Sequence, residues 1–153
     1  MLPLGLSTAA AALFQKNCLG LDLAALNSNA NGKTVLVWGG SSSVGACGIQ
    51  LVRAAGYEVV TTSSPRNFDF CRGLGADHVF DHTSSTVVED VVKYLEGKEF
   101  AGVFDAISTA DTLAQSTKIA SQVHGKKFVA TVAPPGRPFP DGLPSDVTLS
   151  AGK

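Results

Sequence analysis

Val35-Leu36-Val37-Trp38 is an apolar, β-branched run that enters a turn of glycines and serines, Gly39 to Gly45, and a helical pattern follows from Val44 to Ala55. A buried strand running straight into a crossover helix returns the chain parallel to itself, so this stretch sets a β-α-β unit. The rhythm then repeats: apolar segments recur at Glu58 to Thr62, Asp77 to Phe80, Gly102 to Ile107 and Lys127 to Val132, with amphipathic segments between them. The fold class is therefore α/β, a doubly wound parallel sheet in three layers with helices on both faces. Gly56 follows the first crossover helix, Ser64-Pro65 suits the start of the next, and Gly97 closes the third. Residues 1–32 read as a lead-in of short helical segments and a polar loop, and 33–153 as the one folded domain. Asp146 to Ser150 is a short strand-like run cut off at Lys153, which leaves open whether the last strand of such a sheet is present.

At 153 residues the chain can bury roughly 70% of its unfolded surface and needs no staple. A net charge of −1 without a basic block argues against nucleic acid or an anionic membrane, so a small-molecule partner is expected. Cys18, Cys47 and Cys71 are odd in number and widely spaced, a pattern of buried thiols rather than of disulfides or a zinc site. The alanine-rich stretch from Leu6 to Phe14 has no positive charge before it, the first lysine being Lys16, so it is not read as a signal peptide. A cytoplasmic location follows as an expectation. No apolar run reaches the length of a membrane span.

The turn carries the chemistry. A strand that stops where a helix starts presents unpaired N–H groups and the positive end of the helix dipole, which stabilise an anion without a basic side chain. Against the dinucleotide fingerprint G-x-G-x-x-G, the chain offers Gly40-x-Ser42-x-x-Gly45, with Ser42 in place of the middle glycine. Ser42 must either tilt its side chain away or hydrogen-bond the phosphate itself, and Ser41 and Ser43 add two more hydroxyls. Gly45 and Gly48 would let the helix lie close to the sheet. A P-loop is excluded because Ala46 and Cys47, not lysine and serine or threonine, follow Gly45. Tyr94-x-x-x-Lys98 matches a short-chain dehydrogenase pair, but Gly97 ends the helix before Lys98.

An NAD site needs an acid at the tip of the second strand. Glu58 sits at that strand's start, about 13 Å from the tip, and cannot serve. The tip carries Thr62, Ser63 and Ser64, then Arg66 and Asn67, a set suited to a phosphate. Arg66 in the first turn opposes the helix dipole unless an anion compensates it. NADPH is therefore the expected cofactor.

With the turn, Gly56, Leu74-Gly75-Ala76-Asp77-His78-Val79-Phe80-Asp81 and His124-Gly125-Lys126-Lys127-Phe128-Val129 taken together, the chain resembles the Rossmann-like cofactor-binding domain of the medium-chain dehydrogenase/reductase superfamily, in its quinone- and enoyl-reductase branch. The resemblance implies that Ser41 to Val44 hold the pyrophosphate, that Ser64, Arg66 and Asn67 hold the adenosine phosphate, that Ile107 and Ser108 approach the nicotinamide-side ribose, and that Thr8 lies near the nicotinamide. His82 stands where the family often has tyrosine, beside the adenosine ribose. The resemblance also implies a separate GroES-like catalytic domain that this chain lacks, no zinc here, and self-association left open. The function it implies is the NADPH-binding domain of an oxidoreductase passing hydride to an enoyl, quinone or carbonyl substrate; the alternative is a non-catalytic dinucleotide-binding or interaction module.

Overall fold

The structure is a computed structural model that describes Leu13 and residues 33–123, 125–132 and 142–151. Strand β1 (Lys33–Trp38) is buried from Thr34 onward, because helices cover both of its faces and side chains alternate between them. Val35 and Val37 face one core with Cys47, Ile49 and Val52 of helix α1 (Ser43–Ala54), while Leu36 and Trp38 face a second. That second core holds Val87, Val91 and Leu95 of α3 (Val87–Leu95) and Leu113 and Ile119 of α4 (Ala110–Gln122). Leu13, from the lead-in segment, is buried in the first core. A near-continuous apolar run in the sequence thus divides between two layers.

Six strands form one parallel sheet in the order β3-β2-β1-β4-β5-β6. They are β1, β2 (Glu58–Ser63), β3 (His78–Asp81), β4 (Glu99–Asp105), β5 (Phe128–Thr131) and β6 (Thr148–Ala151). The run at Asp146 to Ser150, left open above, supplies the edge strand β6. A 3-10 turn, Pro65–Asn67, leads into α2 (Phe68–Leu74) after β2. Gly56 and Gly97 take positive φ, 89° and 78°, directly after the ends of α1 and α3, as the sequence punctuation requires. In β4 the register slips beside Thr34, so Phe100 and Val103, an odd number of residues apart, reach the same core.

The chain winds outward through β1, β2 and β3, then crosses back to β4 on the other side of β1. The C-terminal tips of β1 and β4 are therefore the point where connections diverge, and a crevice opens there. Gly48 lets α1 approach the sheet: a Cβ there would stand 2.8 Å from Cε2 of the Phe104 ring in β4.

At the opposite edge of the sheet Glu58 is gripped from three sides. Its carboxylate accepts hydrogen bonds from Thr34 Oγ1 and Tyr94 OH, both at 2.8 Å, and from Lys98 Nζ at 3.1 Å. Lys98 lies beyond the α3 end, as its sequence position implies, yet its ammonium stands 4.9 Å from the Tyr94 ring centre. Tyr94 and Lys98 therefore serve a carboxylate clamp remote from the crevice. Burial works against the Glu58 charge, but the bonds from Thr34, Tyr94 and Lys98 outweigh it and hold the carboxyl below its usual range. Burial and the bond to Glu58 push Tyr94 up to about 12.

Two outcomes follow for stability. Gly48→Ala gains about 1 kcal/mol of helix propensity but overpacks Phe104, a change that costs about 1–3 kcal/mol, so its chemical-denaturation midpoint should fall. The Glu58 carboxyl is lowered by folding, so its contribution is complete above the unfolded carboxylate range and lost as pH drops through the folded value. In thermal melts, Glu58→Gln should lie below wild type at about pH 7, and the gap should close toward about pH 3.

Candidate functional site

The turn after β1 is held by its own hydroxyls. Gly39 takes φ 84°, its N–H donates to Thr62 Oγ1 at 3.1 Å, and the Gly40 N–H donates to Thr62 O at 3.0 Å, so the turn is sewn to β2. The Gly39 carbonyl accepts from Ser42 N at 3.0 Å and from Ser42 Oγ at 2.8 Å, and Ser42 Oγ accepts from Gly45 N at 3.0 Å. Ser42 is the N-cap of α1, with extended backbone. Its hydroxyl hydrogen is spent inside the turn, on the Gly39 carbonyl.

Gly45 proves necessary to the turn rather than to helix–sheet packing, because a Cβ there would collide with the Gly39 carbonyl oxygen. Gly40 is buried under the turn, where a Cβ would strike Thr61 Oγ1. These close approaches leave the first-turn amides of Ser43 and Val44 without an intrahelical acceptor at the crevice. Ser41 is half-buried and Ser43 exposed. The turn fits a dinucleotide pyrophosphate: a backbone cradle that a Cβ would fill, at the start of a twelve-residue helix.

A cleft of about 320 Å³ opens above it, lined by Ser41 and Ser42 from the turn, Ser63, Ser64 and His82 from the β2 and β3 tips, and Ile107 from the turn after β4. A second, wider hollow of about 600 Å³ adjoins it across Trp38, His82 and Thr112 and includes Asp111 and Gln115. At the β2 tip, Ser63 is buried and donates to Ser64 O at 3.1 Å, while Ser64 Oγ lies 3.1 Å from His82 Nε2. Arg66 is exposed and makes no hydrogen bond or ion pair among the described residues, and Asn67 sits beside it at the α2 N-cap with an uncommitted side chain. Asp81 is paired in register with Ser63, but its carboxylate accepts from Thr83 Oγ1 at 2.6 Å and Thr83 N at 2.9 Å, which keep it below its usual range.

Behind the cleft, sequence reasoning missed Asp105. It is fully buried at the end of β4, where Oδ1 accepts from Ile107 N at 3.0 Å and Ser108 N at 2.8 Å, and Oδ2 from Ser116 Oγ at 3.2 Å. Burial pushes its carboxyl up despite these bonds. The signal was an acid closing an apolar strand at the same sheet edge as the turn. Ser108 is held at φ 57°, and its hydroxyl donates to Asp105 O and accepts from Val132 N, at 2.8 and 2.9 Å. Ser108 is thus buried with its hydroxyl committed, and Ile107 lines the cleft with Ser41, Ser42, Ser63, Ser64 and His82. Thr62, named at the β2 tip, also lines the cleft, as do Trp38 and Thr112, which were not singled out as site residues. Thr8 lies outside the described residues.

Comparison with known proteins places this arrangement. The family model for zinc-binding dehydrogenases matches residues 43–140. Dehydrogenase azaJ of Aspergillus niger is 42% identical over 151 residues, covering 94% of this chain and 43% of that protein. The trans-enoyl reductase himH of Aspergillus japonicus is 39% identical over 147 residues, covering 96% and 40%. The chain thus spans less than half the length of these relatives. Among solved structures, an alcohol dehydrogenase superfamily protein from Novosphingobium aromaticivorans superposes with a TM-score of 0.73 at 26% identity, over 99% of this chain and 42% of that one. The CurK enoyl reductase shares the fold with a TM-score of 0.72 at 20% identity, over 99% and 42%.

The family name raises zinc, but the described residues do not fit it: no three of their His, Cys, Asp or Glu side chains gather as ligands, and Cys47 and Cys71 are buried free thiols. With its parallel sheet, its glycine turn at the strand crossover and matches along nearly its whole length, the chain belongs to the zinc-binding dehydrogenase family of the medium-chain dehydrogenase/reductase superfamily and corresponds to its cofactor-binding domain.

Proposed function

We propose that this chain is the NADPH-binding domain of an oxidoreductase that passes hydride to an enoyl, quinone or carbonyl substrate. The observation that carries the reading is the turn itself, closed by Ser42 and opened by Gly40 and Gly45 so that backbone amides reach the cleft. A bound nicotinamide dinucleotide supplies the hydride. The amides of Ser43 and Val44, with the hydroxyls of Ser41 and Ser43, hold the pyrophosphate. Ile107 is an apolar wall of the cleft toward the nicotinamide-side ribose, and Ser108 and Asp105 fix that wall from behind.

Ser64, Arg66, Asn67 and His82 form the ribose-phosphate subsite, with Ser63 buried beneath. Three features support phosphate over a ribose diol: an unengaged guanidinium, a hydroxyl beside an imidazole, and an Asp81 carboxylate turned to Thr83. The near-attack geometry that hydride transfer requires needs a second wall. We assign that wall to a further domain, in keeping with relatives more than twice as long as the matched stretch. No helix among the described residues is long and apolar enough to cross a membrane, in keeping with a cytoplasmic enzyme.

Titration of the purified chain tests the reading. NADPH at a hundred times its dissociation constant should stabilise the fold by about 2.7 kcal/mol in thermal melts, and NADH at the same concentration by less. Arg66→Ala should weaken NADPH binding about 10-fold and leave NADH binding unchanged. Equal affinities for both cofactors, unaltered in the variant, would overturn the preference. Assays with quinone and enoyl acceptors should show binding without turnover by this chain; turnover at ordinary enzyme rates would refute the need for a second wall.

A further inference from the structure

Resting on the reading of Ser64 and its neighbours as a ribose-phosphate subsite, we propose that His82 makes the choice between NADPH and NADH depend on pH, with the protonated imidazole favouring NADPH. His82 is the first residue beyond β3, and its backbone N–H donates to Ser63 O at 3.1 Å, which fixes it beside the β2 tip. The side chain is exposed, borders both hollows, and places Nε2 3.1 Å from Ser64 Oγ.

Imidazole is the side chain that changes charge within about pH 5 to 8. When Nε2 is unprotonated it can only accept, so the Ser64 hydroxyl donates to it and has no hydrogen left for a ligand. When Nε2 carries a proton it donates to Ser64 Oγ, and the Ser64 hydrogen is released to an acceptor in the cleft. Starting from the neutral tautomer that carries its proton on Nδ1, one proton thus adds a positive charge and also frees a donor; starting from the Nε2–H tautomer it adds the charge alone. A phosphate gains from both changes, whereas the neutral ribose hydroxyl that NADH presents gains from neither charge nor bidentate donation.

Three other charged groups bear on His82. Asp81 precedes it on β3, and its bonds from Thr83, together with the nearby imidazole, hold its carboxyl below the usual range, so it stays ionised throughout this interval. Arg66 is an exposed guanidinium in the 3-10 turn that follows Ser64. Asp111 of α4 borders the second hollow opposite His82. The cofactor's own phosphate also titrates, near about pH 6, and that contribution is common to every variant.

The test is calorimetric titration of the full chain and of His82→Gln with NADPH and with NADH between about pH 6 and about pH 8, in buffers of differing ionisation enthalpy. Glutamine keeps a hydrogen-bond partner for Ser64 but cannot titrate, and the exposed position leaves the core intact. The ratio of NADH to NADPH dissociation constants should rise toward low pH about 10-fold more in the wild type than in the variant, with extra proton uptake on binding NADPH alone. Parallel pH profiles and equal proton uptake in the two proteins would overturn the role of His82 while leaving an NADPH preference standing. Failure of NADPH to bind would overturn both this inference and the reading on which it rests.

Discussion

The Gly39 carbonyl oxygen accepts from both the backbone N–H and the hydroxyl of Ser42, and the rest of the cleft depends on that double acceptance. It bends the chain out of β1 within a few residues, sets Ser42 as the cap of α1, and demands a residue without a Cβ at Gly45. Because α1 can then start immediately beyond the strand, its unpaired amides lie at the sheet's crossover point instead of being lost along a longer loop. Packing secures the same geometry from beneath, where Gly48 admits the Phe104 ring and Ile49 and Val52 are fully buried.

The two edges of the sheet perform different work. At the C-terminal edge, hydroxyls, amides and an unpaired guanidinium are left facing solvent or cleft. At the N-terminal edge, polar groups are satisfied by one another: Glu58 with Thr34, Tyr94 and Lys98, and Asp77 with Arg53 and the Val59 amide. A tyrosine and lysine four residues apart invite a catalytic reading by pattern alone. Their position at the mutually satisfied edge, with both donors on one carboxylate, explains them as closure of the β2 and α3 ends.

Periodicity and punctuation in the sequence were enough for the alternation of elements, the helix ends at Gly56 and Gly97, and the exclusion of Glu58 from the ribose. Those features are local, decided by steric rules over a few residues. Strand order was not legible, since it depends on which crossover returns past β1, and neither was the slip in β4 that brings Phe100 and Val103 to one face. Within the site, the serines of the turn could be named, but not which hydroxyl was already occupied. Asp105 escaped notice for a related reason: its carboxylate is satisfied by the Ile107 and Ser108 amides and the Ser116 hydroxyl, and burial of an acid leaves no periodic trace.

Ser108 joins parts of the molecule that the chain separates widely. A non-glycine residue in the left-handed region costs about 1–2 kcal/mol, and here that cost accompanies a hydroxyl that ties the segment after β5 to the end of β4. Glycine would relax the backbone and cut the tether; alanine would cut the tether and keep the strain. The Ser108 hydroxyl thus adds a side-chain link between Val132 and the turn that carries Ile107 to the β4–β5 pairing at Asp105 and Thr131. At the rim of the cleft the outer half of the sheet is therefore joined to the β4 end by a side chain as well as by the backbone ladder.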